Sequence, residues 1–172
     1  MANGVAPLPD PLKGTQMSNT ANPVARYAET AVQKAALVVG IVFLVVGIAG
    51  FIPGLTTNFE TMEFAGHDSG AMLLGIFQVS VLHNIVHLLF GVAGVVVARS
   101  FAGARNYLIW GGVVYAVLLV YGVFLSGDHP ANFVPLNSAD NWLHALLAIG
   151  MIALGLLLGR RDVRTTTGTA RA

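Results

Sequence analysis

Cysteine is absent from this chain of 172 residues, which removes disulfides, thiolate metal centres, iron–sulfur clusters and cysteine nucleophiles from its chemistry. Charge is nearly as scarce, since Asp, Glu, Lys and Arg together make up 10% of the residues and the formal net charge is +1. The few basic residues flank apolar runs instead of forming a stripe, so no nucleic-acid partner is expected. Phosphate-binding and dinucleotide fingerprints are also missing: the glycines fall inside apolar runs, with no strand pattern before a Gly-rich turn. Catalysis on a soluble substrate is therefore not expected, and the chain reads as a non-enzyme. The N-terminal stretch lacks the layout of a secretory signal, because Pro7, Pro9, Pro11 and Pro23 precede the first apolar run. Met17 is a second candidate start.

What the sequence has in abundance is apolar side chains, at 55% of the chain. So large a surplus must face lipid, and it is arranged in four long uncharged runs. These predict transmembrane helices at about 35–53, 71–98, 106–127 and 140–159. The second run, about 28 residues from Ala71 to Ala98, is long enough to tilt or project beyond the bilayer. The fold expected is all-α: an integral membrane four-helix bundle, up-down-up-down, within residues 28–161. Residues 1–27, rich in Pro, Gly, Asn, Ser and Thr, are expected to be a disordered tail, and 162–172 a second tail.

Orientation follows from the positive charges. Lys13, Arg26 and Lys34 precede the first run, Arg99 and Arg105 bracket the second loop, and Arg160, Arg161, Arg164 and Arg171 follow the fourth run. The other two loops hold Glu60, Glu63, Asp68, Asp128 and Asp140 and no Lys or Arg. The positive-inside rule puts both termini in the cytoplasm, as expected for a bacterial inner-membrane protein.

Two internal echoes bear on architecture. Leu82-His83, Gly94, Ala98 and Arg99 recur at an offset of 61 as Leu143-His144, Gly155, Gly159 and Arg160. Gly40 and Gly50 recur at an offset of 72 as Gly112 and Gly122. Duplicated helical hairpins and chance similarity between apolar helices both explain matches this few. Small residues also sit at packing distance, in the pairs Gly50/Gly54, Gly94/Ala98, Gly122/Ser126 and Gly155/Gly159. They suit helix packing inside the bundle or, alternatively, contact with itself or another membrane protein.

Chemistry concentrates in one polar cluster: Gln78, His83, Asn84 and His87 in the second run, and Asn137, Asp140 and His144 at the start of the fourth. His83 and His144 each lie 16 residues before an arginine, which puts both ~24 Å from the cytoplasmic edge. His83 and His87 share a helix face, as do Asp140 and His144. Four uses fit these residues. They are hydrogen bonding that pins the second and fourth helices, with no cofactor; a divalent metal on His83, His87, His144 and Asp140; haem b between His83 and His144; and a proton or ion path. The path lacks an ionisable continuation below His87. The first of the two acidic loops mixes Phe59, Glu60, Glu63, Phe64, His67 and Asp68 and reads as a solvated loop, or as a site for a cation or a partner. Trp110 and Trp142 read as interfacial anchors, and Tyr115 and Tyr121 as buried hydroxyls needing partners.

Several blocks carry a family resemblance: Gly66-His67-Asp68-Ser69-Gly70, Leu74-Gly75-Ile76-Phe77-Gln78-Val79, Leu82-His83-Asn84-Ile85-Val86-His87-Leu88-Leu89-Phe90-Gly91, and Asn137 with Asp140 and Leu143-His144. From the first run to Gly159 the chain resembles the four-span bacterial membrane proteins, mainly actinobacterial, known as domain of unknown function 4383. The resemblance implies fold and location and assigns no role to any histidine.

Overall fold

A computed structural model describes residues 27–125 and 133–160. Four helices dominate it: α1 (Ala31–Ala49), α2 (Val81–Val97), α3 (Phe101–Phe124) and α4 (Ser138–Leu157). Three of them, α1, α3 and α4, are long and apolar enough to cross a membrane, and α2, at 17 residues, is a shorter apolar helix. Large apolar side chains cover the outside of the bundle, among them Val45, Leu89, Trp110, Val117, Trp142 and Ile149. A surface of that kind belongs in lipid, and the all-α membrane bundle expected from the sequence is the observed fold. The expected tails, and the last two residues of the expected third span, lie almost wholly outside the described residues.

Capping sets where the helices begin. Thr30 and Gln33 form a capping box at the head of α1, so that helix starts four residues before the apolar run suggests. Ser80 caps α2 by accepting from the His83 N–H, Ser100 caps α3 by accepting from the Gly103 N–H, and Asn137 caps α4.

The helices pair as two antiparallel hairpins, α1 with α2 and α3 with α4, while α2 and α3 touch over a shorter length. Close backbone approach makes both pairings possible. A Cβ on Gly40 would meet the Gly91 carbonyl oxygen at 2.9 Å and the Val95 nitrogen at 2.8 Å. In the second hairpin a Cβ on Gly112 would meet the Ala148 carbonyl oxygen at 2.9 Å and the Ile152 nitrogen at 3.0 Å. Gly112 is Gly40 displaced by 72, but the carbonyl and amide that face it, on Ala148 and Ile152, are those of Gly91 and Val95 displaced by 57, so the second hairpin packs about one helical turn away from the register that the 61-residue echo predicts. The small residues at Gly94 and Gly155 are likewise occupied by neighbours within the chain, Tyr107 and Ile109.

One expectation is overturned. The uncharged run from Ala71 to Ala98 is not a single span: its first part forms two short strands, and the helix begins only at Val81. The antiparallel sheet runs β1 (Thr56–Thr57), β2 (Met72–Leu73), β3 (Phe77–Gln78), with a short 3-10 turn at Phe59–Thr61 between the first two. The β2–β3 turn has Leu74 at φ 53° and Gly75 at φ 70°, with the Ile76 N–H donating to the Leu73 carbonyl at 3.0 Å. Positive φ at both central residues suits a hairpin and cannot continue a right-handed helix. The acidic loop is therefore a folded cap on one end of the bundle, and Gln78 belongs to β3. Backbone hydrogen bonds tie the cap to the head of α2 and to the segment before α4: the Val81 and Leu82 amides donate to the Glu63 and Phe64 carbonyls, and the Gly66 amide donates to the Phe133 carbonyl.

The opposite end of the bundle holds the Arg99–Arg105 turn. There the Gln33 side chain donates to the Ala98 carbonyl at 2.9 Å, and the Ala28 amide donates to the same oxygen. Between the two ends the core is aromatic and aliphatic, with Phe43, Leu108, Tyr115 and Met151 buried in one cluster.

Candidate functional site

The sequence-derived polar cluster divides into two sites at the capped end of the bundle. The first is built on the head of α4. Asn137 and Asp140 form a capping box, in which Asn137 Oδ1 accepts from the Asp140 N–H and Asp140 Oδ2 accepts from the Asn137 N–H, both at 3.0 Å. The same Asp140 Oδ2 accepts from the Gln78 N–H at 3.1 Å, and Asn137 Nδ2 donates to the Ile76 carbonyl at 2.7 Å. Gln78 passes the connection onward, its Nε2 donating to the His67 and Ser69 carbonyls. Ser69 Oγ in turn donates to the Val79 carbonyl at 2.6 Å. Asp140, Ser69 and Ser80 are almost fully buried, and buried polar groups of this kind must be paired. Of the polar network expected from Gln78, Asn84 and Asn137, the structure joins Gln78 and Asn137 through Asp140, and these bonds tie α4 to the sheet and not to α2.

Asn84 is not in that network. It faces α1, where it lies against Gly50, and its Nδ2 is 4.0 Å from the sulfur of Met62. Being one residue past His83, it points about 100° away around the helix.

The second site is a cavity of about 250 Å³ in which three helices converge. His83 and His87 come from α2, Tyr115 from α3 and His144 from α4; Phe133 lines it from the segment before α4, and Val86 and Val114 form part of its wall. His83 and His87 stack at 4.4 Å between ring centroids and 12° between planes. His87 Nδ1 lies 3.0 Å from the His83 carbonyl, an acceptor, so that nitrogen carries the hydrogen. Beneath the histidines, Phe43 packs on both His87 and Tyr115, and Phe90 meets Phe43 and Tyr115 edge to face. His144 packs on Tyr115 at 5.2 Å. His144 is 3% exposed, yet its Nδ1 has no hydrogen-bond partner.

This geometry bears on each use considered from sequence. A metal on His83, His87, His144 and Asp140 is not supported: no three His, Cys, Asp or Glu among the described residues are grouped to hold one. The physical reason is that the Asp140 carboxylate is turned to the Asn137 and Gln78 amides, while His87 spends one nitrogen on a carbonyl and stacks on His83. The pair His83 and His144 shares the cavity, but its volume is below the ~300–1,000 Å³ of ordinary small-molecule pockets, and haem is a large ligand. For a proton path, the aromatic floor of Phe43, Phe90 and Tyr115 offers no charged group below His87.

The remaining sequence candidates lie outside both sites or at their edges. His67 and Asp68 approach to 3.4 Å on the cap, where the Asp68 side chain is largely exposed. Tyr121 finds its partner, its hydroxyl accepting from the Phe133 N–H at 3.0 Å. Trp110 and Trp142 both lie on the lipid-facing surface. Sequence reasoning passed over Gln33 and Ser80; Gln33 carried a readable signal, the Thr-x-x-Gln capping pattern before an apolar run.

Residues 33–157 match the family described as domain of unknown function (DUF4383), which covers most of the chain. The chain belongs to that family. No curated protein and no solved structure matches it.

Proposed function

We propose that this DUF4383 protein is a non-enzymatic, multi-pass accessory or structural protein of the bacterial inner membrane, with its cap outside and both ends in the cytoplasm. The observation that carries this reading is the closure of the Asn137–Asp140–Gln78 network: each of these side chains is spent on a backbone partner. A catalytic acid or base needs a free position facing substrate, and the Asp140 oxygen engaged by the Gln78 and Asn137 amides is committed to holding α4 against the cap. Interhelical and helix-to-loop hydrogen bonds of this kind fix a membrane bundle whose helices have no hydrophobic drive to associate. The orientation rests on Arg99 and Arg105 at one end against Glu60, Glu63 and Asp68 at the other.

An absorption spectrum and metal analysis of the detergent-purified protein test this reading. A colourless, metal-free and well-folded protein is expected. A Soret band or a stoichiometric metal, lost in His144→Ala, would overturn it in favour of a cofactor-binding protein.

A further inference from the structure

The two helical hairpins share one plan and differ along one seam. By the offsets that relate their packing, 72 for the first helix and 57 for the second, Phe43 and His87 correspond to Tyr115 and His144. The two ring pairs have the same geometry, 5.3 Å and 56° in one hairpin and 5.2 Å and 55° in the other. Places where the hairpins depart from each other can therefore be compared directly.

Two departures meet on the α3–α4 face. In the first hairpin Leu44 packs against Gly91, where an added Cβ would come within 2.7 Å of the Leu44 Cγ. In the second hairpin Ala116 stands in the place of Leu44 and Ala148 in that of Gly91. The shorter side chain leaves a groove of about 510 Å³ whose lining includes Ala116, Ala145, Ala148, Ile149, Ala153 and Leu156. Ile149 is 71% exposed, so the groove opens on the lipid-facing surface. The other departure is at the arginine end. Gln33 closes the first seam by donating to the Ala98 carbonyl at 2.9 Å. Its place in the second hairpin, 72 positions on, holds Arg105, which makes no hydrogen bond or ion pair among the described residues. The Arg105 stem lies against the end of α4, since a Cβ on Gly159 would meet its Cδ at 2.6 Å and its Cγ at 2.7 Å. Arg105 precedes Ala116 by 11 residues, about three helical turns, and the exposed Arg160 follows Leu156 by four, so both arginines continue the faces that form the groove.

Length and charge narrow the occupant. From Ala145 to Leu156 the groove runs ~16 Å, about half of a hydrocarbon core ~30 Å thick and so the depth of one leaflet. From Leu156 to Arg160 is a further ~6 Å, the depth of a headgroup layer. Guanidinium groups match phosphate oxygens with paired N–H donors, and basic positions between membrane helices take anionic headgroups. A second copy of the chain fits this face less well, because two-fold pairing about the membrane normal sets Arg105 and Arg160 of both copies at one level, like charge against like.

We infer that the α3–α4 groove binds an anionic phospholipid, with an acyl chain along Ala116, Ala148 and Ala153 and the phosphate on Arg105 and Arg160. The site goes beyond the accessory role proposed above and depends neither on it nor on which side of the membrane the arginines face.

The test is equilibrium binding to the full chain in detergent, with bound lipid counted by native mass spectrometry, using phosphatidylglycerol and phosphatidylcholine with identical acyl chains. Phosphatidylglycerol is expected to bind about tenfold more tightly, the effect of one hydrogen bond to a charged group. Arg105→Gln should remove that preference. Arg160→Gln, at an exposed position, should reduce it and keeps the test usable if Arg105→Gln fails to fold. Arg99→Gln removes a charge at the same end whose Nε is already spent on the Val96 carbonyl, and should leave the preference intact. Ala116→Leu, which restores the side chain found at Leu44, should weaken both lipids alike. Glycerol phosphate, a headgroup without chains, should not compete. The inference is overturned if the two lipids bind alike, if folded Arg105→Gln or Arg160→Gln keeps the full preference, or if Arg99→Gln lowers it as much as they do. It is equally overturned if Ala116→Leu binds both lipids as the unaltered chain does, if glycerol phosphate competes, or if the chain is a dimer that Ala116→Leu dissociates, which would assign the groove to a second copy.

Discussion

The Asp140 carboxylate accepts a hydrogen bond from the backbone N–H of Gln78, 62 positions earlier in the chain, at 3.1 Å. One oxygen thereby caps its own helix and fastens that helix to a sheet, since it also accepts from the Asn137 amide. The contact locks the second helical hairpin onto a cap contributed by the loop inside the first.

Removing that carboxylate leaves two amide donors without their acceptor. Asp140→Ala is expected to lower stability by about 2–4 kcal/mol, combining the lost cap with the unsatisfied Gln78 amide. Asp140→Asn keeps an acceptor oxygen and should cost clearly less. Thermal unfolding in detergent, followed by circular dichroism, measures both; equal losses for the two variants would show that the hydrogen bonds are not the cause.

Close helix packing predicts opposite outcomes at two glycines. A methyl group on Gly40 must displace α2 backbone lying within 3.0 Å, whereas Gly150 has nothing within 4 Å of the position its Cβ would take. Gly40→Ala should therefore destabilise by about 1–3 kcal/mol through overpacking. Gly150→Ala should be neutral or stabilising by up to ~1 kcal/mol through helix propensity. The same melting assay separates them.

Leu74 occupies the left-handed region at φ 53° with its side chain largely exposed, so its conformation is strained and its burial contributes little. Leu74→Asn is expected to stabilise the protein by up to ~1 kcal/mol and Leu74→Val to destabilise it by a similar amount, because β-branched residues avoid that region. A melting temperature that falls with Asn and rises with Val would contradict the turn.

Much of this fold was legible in the sequence, and what escaped did so for identifiable reasons. Uncharged runs marked four apolar segments, and the spacing of His83, His87 and His144 brought together three imidazoles that line one cavity. The sheet was hidden because Leu74-Gly75-Ile76-Phe77 turns without the Asn, Asp or Pro that usually marks a turn, so hydropathy alone carries it into the next helix. Asp140 was readable as a helix cap from Asn137 three residues before it. Its bond to Gln78 was not, because that partner is a backbone amide whose position depends on the hidden strand. Asn84 was grouped with the histidines through its place in the chain, although its helical angle turns it toward Gly50 and α1.

Amide hydrogen exchange at Gln78, in the unaltered protein and in Asp140→Ala, tests the pinning of α4 to the cap most directly. If Asp140 accepts from that amide, exchange at Gln78 should quicken by about tenfold or more in the variant, the effect of losing one buried hydrogen bond. Val79, whose amide donates within the cap to Ala71, should change much less. Protection at Gln78 that is the same in both proteins would contradict the account, because it would place that amide in a hydrogen bond independent of Asp140, as in a helix running unbroken from Ala71.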